Sequence, residues 1–133
     1  MNRVVDASVL VAALTSRDAV GAWAETILAD GVVVAPELAL VEATNVIRRL
    51  ESSDQLGSFE ARLAVRDLVR LDLELLPFAP FADRVWELRR NVTSYDAWYV
   101  AAAEALALPF ATLDRRLARA AGPRCEFLLP PPS

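Results

Sequence analysis

Between Val4 and Leu14 the chain is apolar except for one carboxylate, Asp6, and one hydroxyl, Ser8, and that carboxylate limits what the segment can be. The β-branched pair Val4-Val5 suits a short buried strand. A charge buried in the middle of a strand is costly without a partner, so the strand stops at Asp6, and Ser8 is placed to cap a helix behind it. A strand turning directly into a helix is how an open α/β sheet begins. In such sheets ligands bind at the carboxyl ends of the strands, so other acids arriving at that edge would be significant. Glu42, Asp96 and Asp114 are the candidates.

The rest of the chain alternates helices with short apolar strands. A helix covers Ser16 to Asp30, with Ala19, Trp23 and Ile27 beside Ala24 and Leu28, and Gly31 ends it. Val32 to Val34 is a strand; Pro36 and Glu37 then open a helix to about Ser52, whose stripe takes in Leu38, Val41, Glu42, Asn45, Val46 and Arg49. Ser58 begins a fourth helix ending near Leu71, Leu73 to Leu76 is a strand stopped by Pro77, and a fifth helix covers Pro80 to Asn91. Thr93 or Ser94 caps a sixth, with Asp96, Tyr99, Val100 and Ala103 on one face, ending near Leu108-Pro109. Phe110 to Thr112 reads as strand, Arg115 to Ala121 as helix, Cys125 to Leu129 as a last strand, and residues 130–133 as a tail. This order predicts one domain over residues 1–133, a three-layer α/β/α sandwich with a mostly parallel central sheet.

Missing residue types narrow the chemistry. There is no histidine and only one cysteine, Cys125, which removes Cys/His zinc sites and the Ser-His-Asp and Cys-His nucleophile systems. All 14 basic residues are arginine, so Schiff-base chemistry and the Walker A lysine are excluded as well. An enzyme with this composition works with carboxylates. The net charge of -4 argues against a basic nucleic-acid coat, and a cluster of acids holding metal would account for it. Apolar stretches are interrupted by Asp6, Glu42 and Glu104 before the roughly 20 residues a membrane span needs, and no signal peptide is apparent, so a cytoplasmic protein is expected.

Each acid also has an ordinary explanation. Asp6 and Asp114 could cap helices, Glu42 could be an exposed helical glutamate, and Asp96 could complete a Thr93-x-x-Asp96 capping box. Brought together, however, like charges raise one another's pKa unless a cation lies among them, and oxygen-only ligation suits Mg²⁺ or Mn²⁺. Taken in order, Val5-Asp6-Ala7-Ser8, Leu40-Val41-Glu42-Ala43-Thr44-Asn45, Ser94-Tyr95-Asp96-Ala97-Trp98-Tyr99-Val100-Ala101-Ala102-Ala103-Glu104 and Ala111-Thr112-Leu113-Asp114 resemble the PIN-domain family, most closely its VapC-type toxins of bacterial toxin-antitoxin pairs.

The resemblance covers essentially the whole chain. It implies a metal-dependent ribonuclease with Asp6, Glu42, Asp96 and Asp114 as the acidic quartet, Ser8 and Thr112 as supporting hydroxyls, and a cognate antitoxin as partner. It also favours a homodimer, with some of Trp23, Trp86, Trp98, Phe59, Phe78 and Phe81 buried at an interface. Many relatives carry another acid just after the last quartet member. Here Arg115, Arg116 and Leu117 follow, which argues against a second firmly held metal. Arg115, Arg116 and Arg119 beside Asp114, and Arg49 on the helix of Glu42, are the candidates for RNA phosphates, the alternative being solvated helix faces.

Two other readings compete. Aspartyl phosphotransfer would need a lysine or an Asp-x-Asp first strand, and this chain has neither. A PIN-like binding module without nuclease activity differs only in what it does to RNA.

Overall fold

The computed structural model of the protein describes residues 1–132, so the end of the expected tail, Ser133, lies outside the described residues. Strands β1 (Arg3–Val5), β2 (Val33–Pro36), β3 (Leu73–Leu76), β4 (Phe110–Ala111) and β5 (Phe127–Leu128) form a single sheet in the order β3-β2-β1-β4-β5. Every pairing is parallel; Val4 stands opposite Val34 on one side and Phe110 on the other. The central strands are buried along their whole length, as the unbroken Val4-Val5 and Val33-Val34-Ala35 runs require, whereas edge strands β3 and β5 are only partly covered.

Helices α1 (Ala7–Thr15), α2 (Ala19–Ala29), α3 (Leu38–Ser52) and α4 (Ser58–Arg70) connect β1 to β2 and β2 to β3, moving one way along the sheet. From β3 the chain passes a 3₁₀ turn (Ala79–Phe81), α5 (Ala82–Glu87) and α6 (Ser94–Leu106) and crosses to β4; α7 (Arg115–Ala118) leads on to β5. Right-handed crossovers in opposite directions place α1 to α4 on one face and α5 and α6 on the other. Packing agrees: α1 touches α2, α3 and α4, while α6 lies on α5 and on β1, β2 and β4. The direction reverses between neighbours β1 and β4, which makes their carboxyl ends the topological switch point.

Several local expectations change. Asp6, not Ser8, is the N-cap of α1, and α2 starts at Ala19 with Asp18 as its cap. Pro36 ends β2 opposite Leu76 instead of opening α3; its missing N–H is tolerated where the strand stops. The fully buried side of α3 is Ala39, Ala43 and Ile47; of the expected stripe Leu38 and Val46 pack at its border, Glu42 is half-buried, and Val41, Asn45 and Arg49 are exposed. The fifth helix is shorter than Pro80 to Asn91, α7 ends before Ala121, and β5 keeps only Phe127 and Leu128 of the longer strand expected. Pro130, placed in the tail, is buried, and its carbonyl accepts from Arg115 Nη2 at 2.6 Å.

Candidate active site

Asp6 follows β1 directly, so its backbone leaves the sheet at the switch point and its side chain turns back to cap α1. Oδ1 accepts from the amides of Ser8 at 3.0 Å and Val9 at 3.3 Å and from the Ser8 hydroxyl at closer range. Oδ2 accepts from Thr112 Oγ1 at 2.5 Å. Burial pushes the Asp6 carboxyl up to about 6 even against those donors, and the nearby Asp96 charge adds to the rise. A carboxylate with this many donors is fixed in place, while its desolvated charge remains uncompensated.

Asp114 reaches the same edge from β4. It caps α7, with Oδ1 accepting from the amides of Arg116 at 3.0 Å and Leu117 at 3.1 Å. Thr112 ties the two strand-end acids together, since the hydroxyl that donates to Asp6 also accepts the Asp114 amide at 3.0 Å. Ser8 Oγ makes the reciprocal link by accepting the Leu113 amide at 3.1 Å. Through these bonds Ser8 and Thr112 lace the β1 and β4 turns into one unit.

Asp96 comes from the opposite layer, in the first turn of α6, whose cap Thr93 accepts the Asp96 amide at 3.2 Å. Half the expected capping box is present, yet the Asp96 side chain also belongs to the acid group. Its carboxyl is raised by burial first, then by Asp114 and by Glu42. Glu42 projects from α3, and its Oε1 accepts from Tyr99 OH at 2.6 Å. Tyr99 is buried, and its hydroxyl is held protonated by burial and by the Glu42 carboxylate, with Asp6 contributing less. Asp96 thus feels Glu42 and Asp114 and acts on Asp6, so all four sequence-predicted acids share one electrostatic neighbourhood.

Beside them opens a cleft of 410 Å³ lined by Thr93, Asp96, Asp114 and Arg116, with Asn91, Val92, Leu117 and Ala120. Of the four arginines expected to meet phosphate, only Arg116 lines this cleft. Arg115 is turned to the Pro130 carbonyl, and Arg119 and Arg49 are exposed elsewhere on their helices. A hollow of similar size, 420 Å³, is lined by Glu104, Arg124 and Cys125 near the starts of β4 and β5. The Glu104 carboxylate is already committed to Arg84 Nε at 2.7 Å and to the Arg124 amide at 2.7 Å, and none of the four acids lines this hollow.

Among the described residues, no three Asp, Glu, Cys or His side chains stand close enough to enclose a metal ion by themselves. The donor set nevertheless fits a hard divalent cation: it is oxygen only, and the Asp6 and Asp96 carboxyls are raised by neighbouring carboxylates as well as by burial. Mg²⁺ in particular takes one or two carboxylates and keeps several waters. The tertiary link that sequence reasoning passed over is Tyr99 to Glu42; a lone phenol on the alanine-rich buried side of α6 was its signal.

The model of the PIN domain family matches residues 3–123 of the chain. Ribonuclease VapC1 of Mycobacterium tuberculosis is 39% identical over 127 residues, spanning 95% of this chain and 96% of the relative. Ribonuclease VapC9 of the same organism is 37% identical over 128 residues, spanning 96% and 98%. Among solved structures, that of VapBC2 from Rickettsia felis bound to a DNA fragment from their promoter superposes with a TM-score of 0.69 at 15% identity, covering 98% of this chain and all of that one. That likeness concerns the fold.

Proposed function

The chain belongs to the PIN domain family, and from that premise we propose that it is a VapC-type toxin, an endoribonuclease of a toxin-antitoxin pair that depends on Mg²⁺ or Mn²⁺. The observation that supports this reading is the approach of Asp6, Glu42, Asp96 and Asp114 around the switch point, where the Asp114 and Glu42 charges raise the Asp96 carboxyl and the Asp96 charge raises that of Asp6. In this reading the whole of residues 1–133 is one catalytic domain.

Asp6, Asp96, Glu42 and Asp114 would hold the cation. When bound, a divalent ion lowers the pKa of its water and neutralises charge developing on the phosphate, chemistry that needs no histidine. The protein's own work is orientation. Ser8 and Thr112 hold both Asp6 oxygens, and Thr112 fixes the turn that carries Asp114. Arg116, which lines the cleft together with Asp96, would bind a backbone phosphate of the RNA.

The ribonuclease names of VapC1 and VapC9 support the reaction. The two-component VapBC2 neighbour supports a cognate antitoxin as partner. We further propose a homodimer and a cytoplasmic site of action; no helix among the described residues is long and apolar enough to cross a membrane. The test is RNA cleavage by the purified protein with Mg²⁺ or Mn²⁺, with EDTA, and by Asp96→Asn. Metal-dependent cleavage lost in the variant is expected. Undiminished cleavage in EDTA overturns the mechanism, and metal-independent RNA binding without cleavage favours the binding-module reading.

A further inference from the structure

We propose that Tyr99 is a positioning residue for Glu42, holding that carboxylate in the acid cluster by a hydrogen bond that crosses from one helical layer to the other; the inference rests on the reading of Glu42 as a metal-site residue. Glu42 is half-buried at the border of the packed side of α3, one turn from the partly buried Leu38 and Val46, while Ala39, Ala43 and Ile47 face the core. Without a hydrogen-bond partner a glutamate side chain there would still be free to sample several rotamers. Tyr99 OH donates to its Oε1 at 2.6 Å, and no other hydrogen bond among the described residues joins α3 to α6. Glu42 Oε2 keeps no protein donor, so one oxygen is held while the other stays available.

Tyr99 is itself rigid. It is 2% exposed, and its ring stacks on Phe110 of β4 with centroids 5.6 Å apart and planes 7° from parallel. The hydroxyl also faces the Ala7 amide, the residue after Asp6. One phenol thus refers Glu42 to the frame that carries Asp6 and to the strand that precedes Asp114. Partners of this kind, which orient a ligand and do not touch the metal, typically change metal affinity by 10- to 100-fold when removed.

The test is Mn²⁺ affinity, measured by electron paramagnetic resonance titration without RNA, for wild type, Tyr99→Phe, Glu42→Ala and the double variant, with melting curves for each. Tyr99→Phe keeps the ring and its stacking. It should weaken Mn²⁺ binding on the order of tenfold and add nothing in the Glu42→Ala background. Unchanged affinity in Tyr99→Phe alongside weaker binding in Glu42→Ala overturns the inference and leaves the quartet standing. Equal loss in both backgrounds also overturns it, because Tyr99 would then act by another route. Wild-type affinity in Glu42→Ala removes Glu42 from the metal site, and the inference with it.

A second measurement does not need the Tyr99 variant to fold. The chain has two tyrosines, so labelled Tyr99 and Tyr95 are separable by nuclear magnetic resonance. Glu42→Ala should move the Tyr99 ring signal and leave Tyr95 in place; an unmoved Tyr99 signal overturns the hydrogen bond.

Discussion

Thr112 Oγ1 donates to Asp6 Oδ2 at 2.5 Å across 106 residues of sequence, from a side chain with no solvent exposure. The same oxygen accepts the Asp114 amide, so one threonine sets the distance between the turns that follow β1 and β4. Thr112→Val keeps the shape and removes donor and acceptor together. It should cost about 1–3 kcal/mol in stability, read from denaturant melts, and Thr112→Ser should restore most of the loss. Stability unchanged in Thr112→Val would mean that the turns are held by backbone packing alone.

The Asp6 carboxyl, pushed up to about 6 from 3.8, makes stability depend on pH in a defined direction. Between those values the folded metal-free protein keeps a proton that the unfolded chain has lost. Asp6 therefore favours the fold at low pH, and that contribution disappears as pH rises through about 6, a change of about 3 kcal/mol. Asp6→Asn should flatten this part of the profile and melt above wild type in EDTA at neutral pH. A wild-type curve that rises through the same window and matches the variant's would contradict the uncompensated buried charge.

Asp96 offers the comparison between metal and no metal. Its carboxyl is raised by burial, Asp114 and Glu42, so neutralising it in Asp96→Asn relieves repulsion. In EDTA the variant should melt at or above wild type. In Mn²⁺ wild type should gain about 2.7 kcal/mol at a hundredfold excess over Kd, and the variant much less. Equal destabilisation of Asp96→Asn in both conditions would make Asp96 a helix-capping residue only.

Arg116 is separable from the arginines around it because it alone lines the cleft with Asp96 and Asp114. With Asp96→Asn as background to prevent cleavage, Arg116→Ala should weaken binding of single-stranded RNA. It should also reduce the slope of log affinity against log salt by roughly 0.7, the value for one phosphate contact on a single strand. Arg119→Ala and Arg49→Ala should leave the slope alone. Arg115→Ala should lower stability through loss of its Pro130 bond.

The aromatic residues divide by position. Trp98 is buried edge-to-face with Phe78, ring centroids 5.3 Å apart, so it belongs to the core, whereas Phe59 and Trp86 are 72% and 65% exposed. Trp86→Glu and Phe59→Glu should each keep the melting temperature close to wild type, and at least one should weaken self-association or retention of the antitoxin in sedimentation experiments. If neither variant changes either property, these rings are ordinary surface.

Much of this protein is legible in its residues because local chemistry decides it. The β-branched Val4-Val5 and Val33-Val34 runs, the helices capped by Thr93 and opened at Ser58, and the parallel α/β class all follow from side-chain preference and period. So does the exclusion of imidazole and thiolate chemistry, which needs only a count of residue types. Strand-end positions single out Asp6 and Asp114 and a first-turn position singles out Asp96, whereas Glu42, inside a helix, rests on the family resemblance. Ser8 and Asp6 show the limit of that reasoning: both can cap a helix, and only the path out of β1 makes Asp6 the cap while Ser8 serves it and the Leu113 amide.

Tertiary structure decided the rest. Which face of α3 is buried depends on the angle at which it meets α1 and α4; small alanines allow close approach, so Ala39 and Ala43 go inward although Val41, which stays exposed, is more apolar. Which arginine faces the acids was settled by the shortness of α7 and by the docking of Pro130, which draws Arg115 away and leaves Arg116 at the cleft. Residue types alone leave carboxylates as the candidates for the chemistry, and local pattern ends strands at two of them. Only the reversal of strand order between β1 and β4, with α3 and α6 on opposite faces, brought Glu42 and Asp96 over the same edge, because parallel-sheet crossovers join residues that share no local pattern.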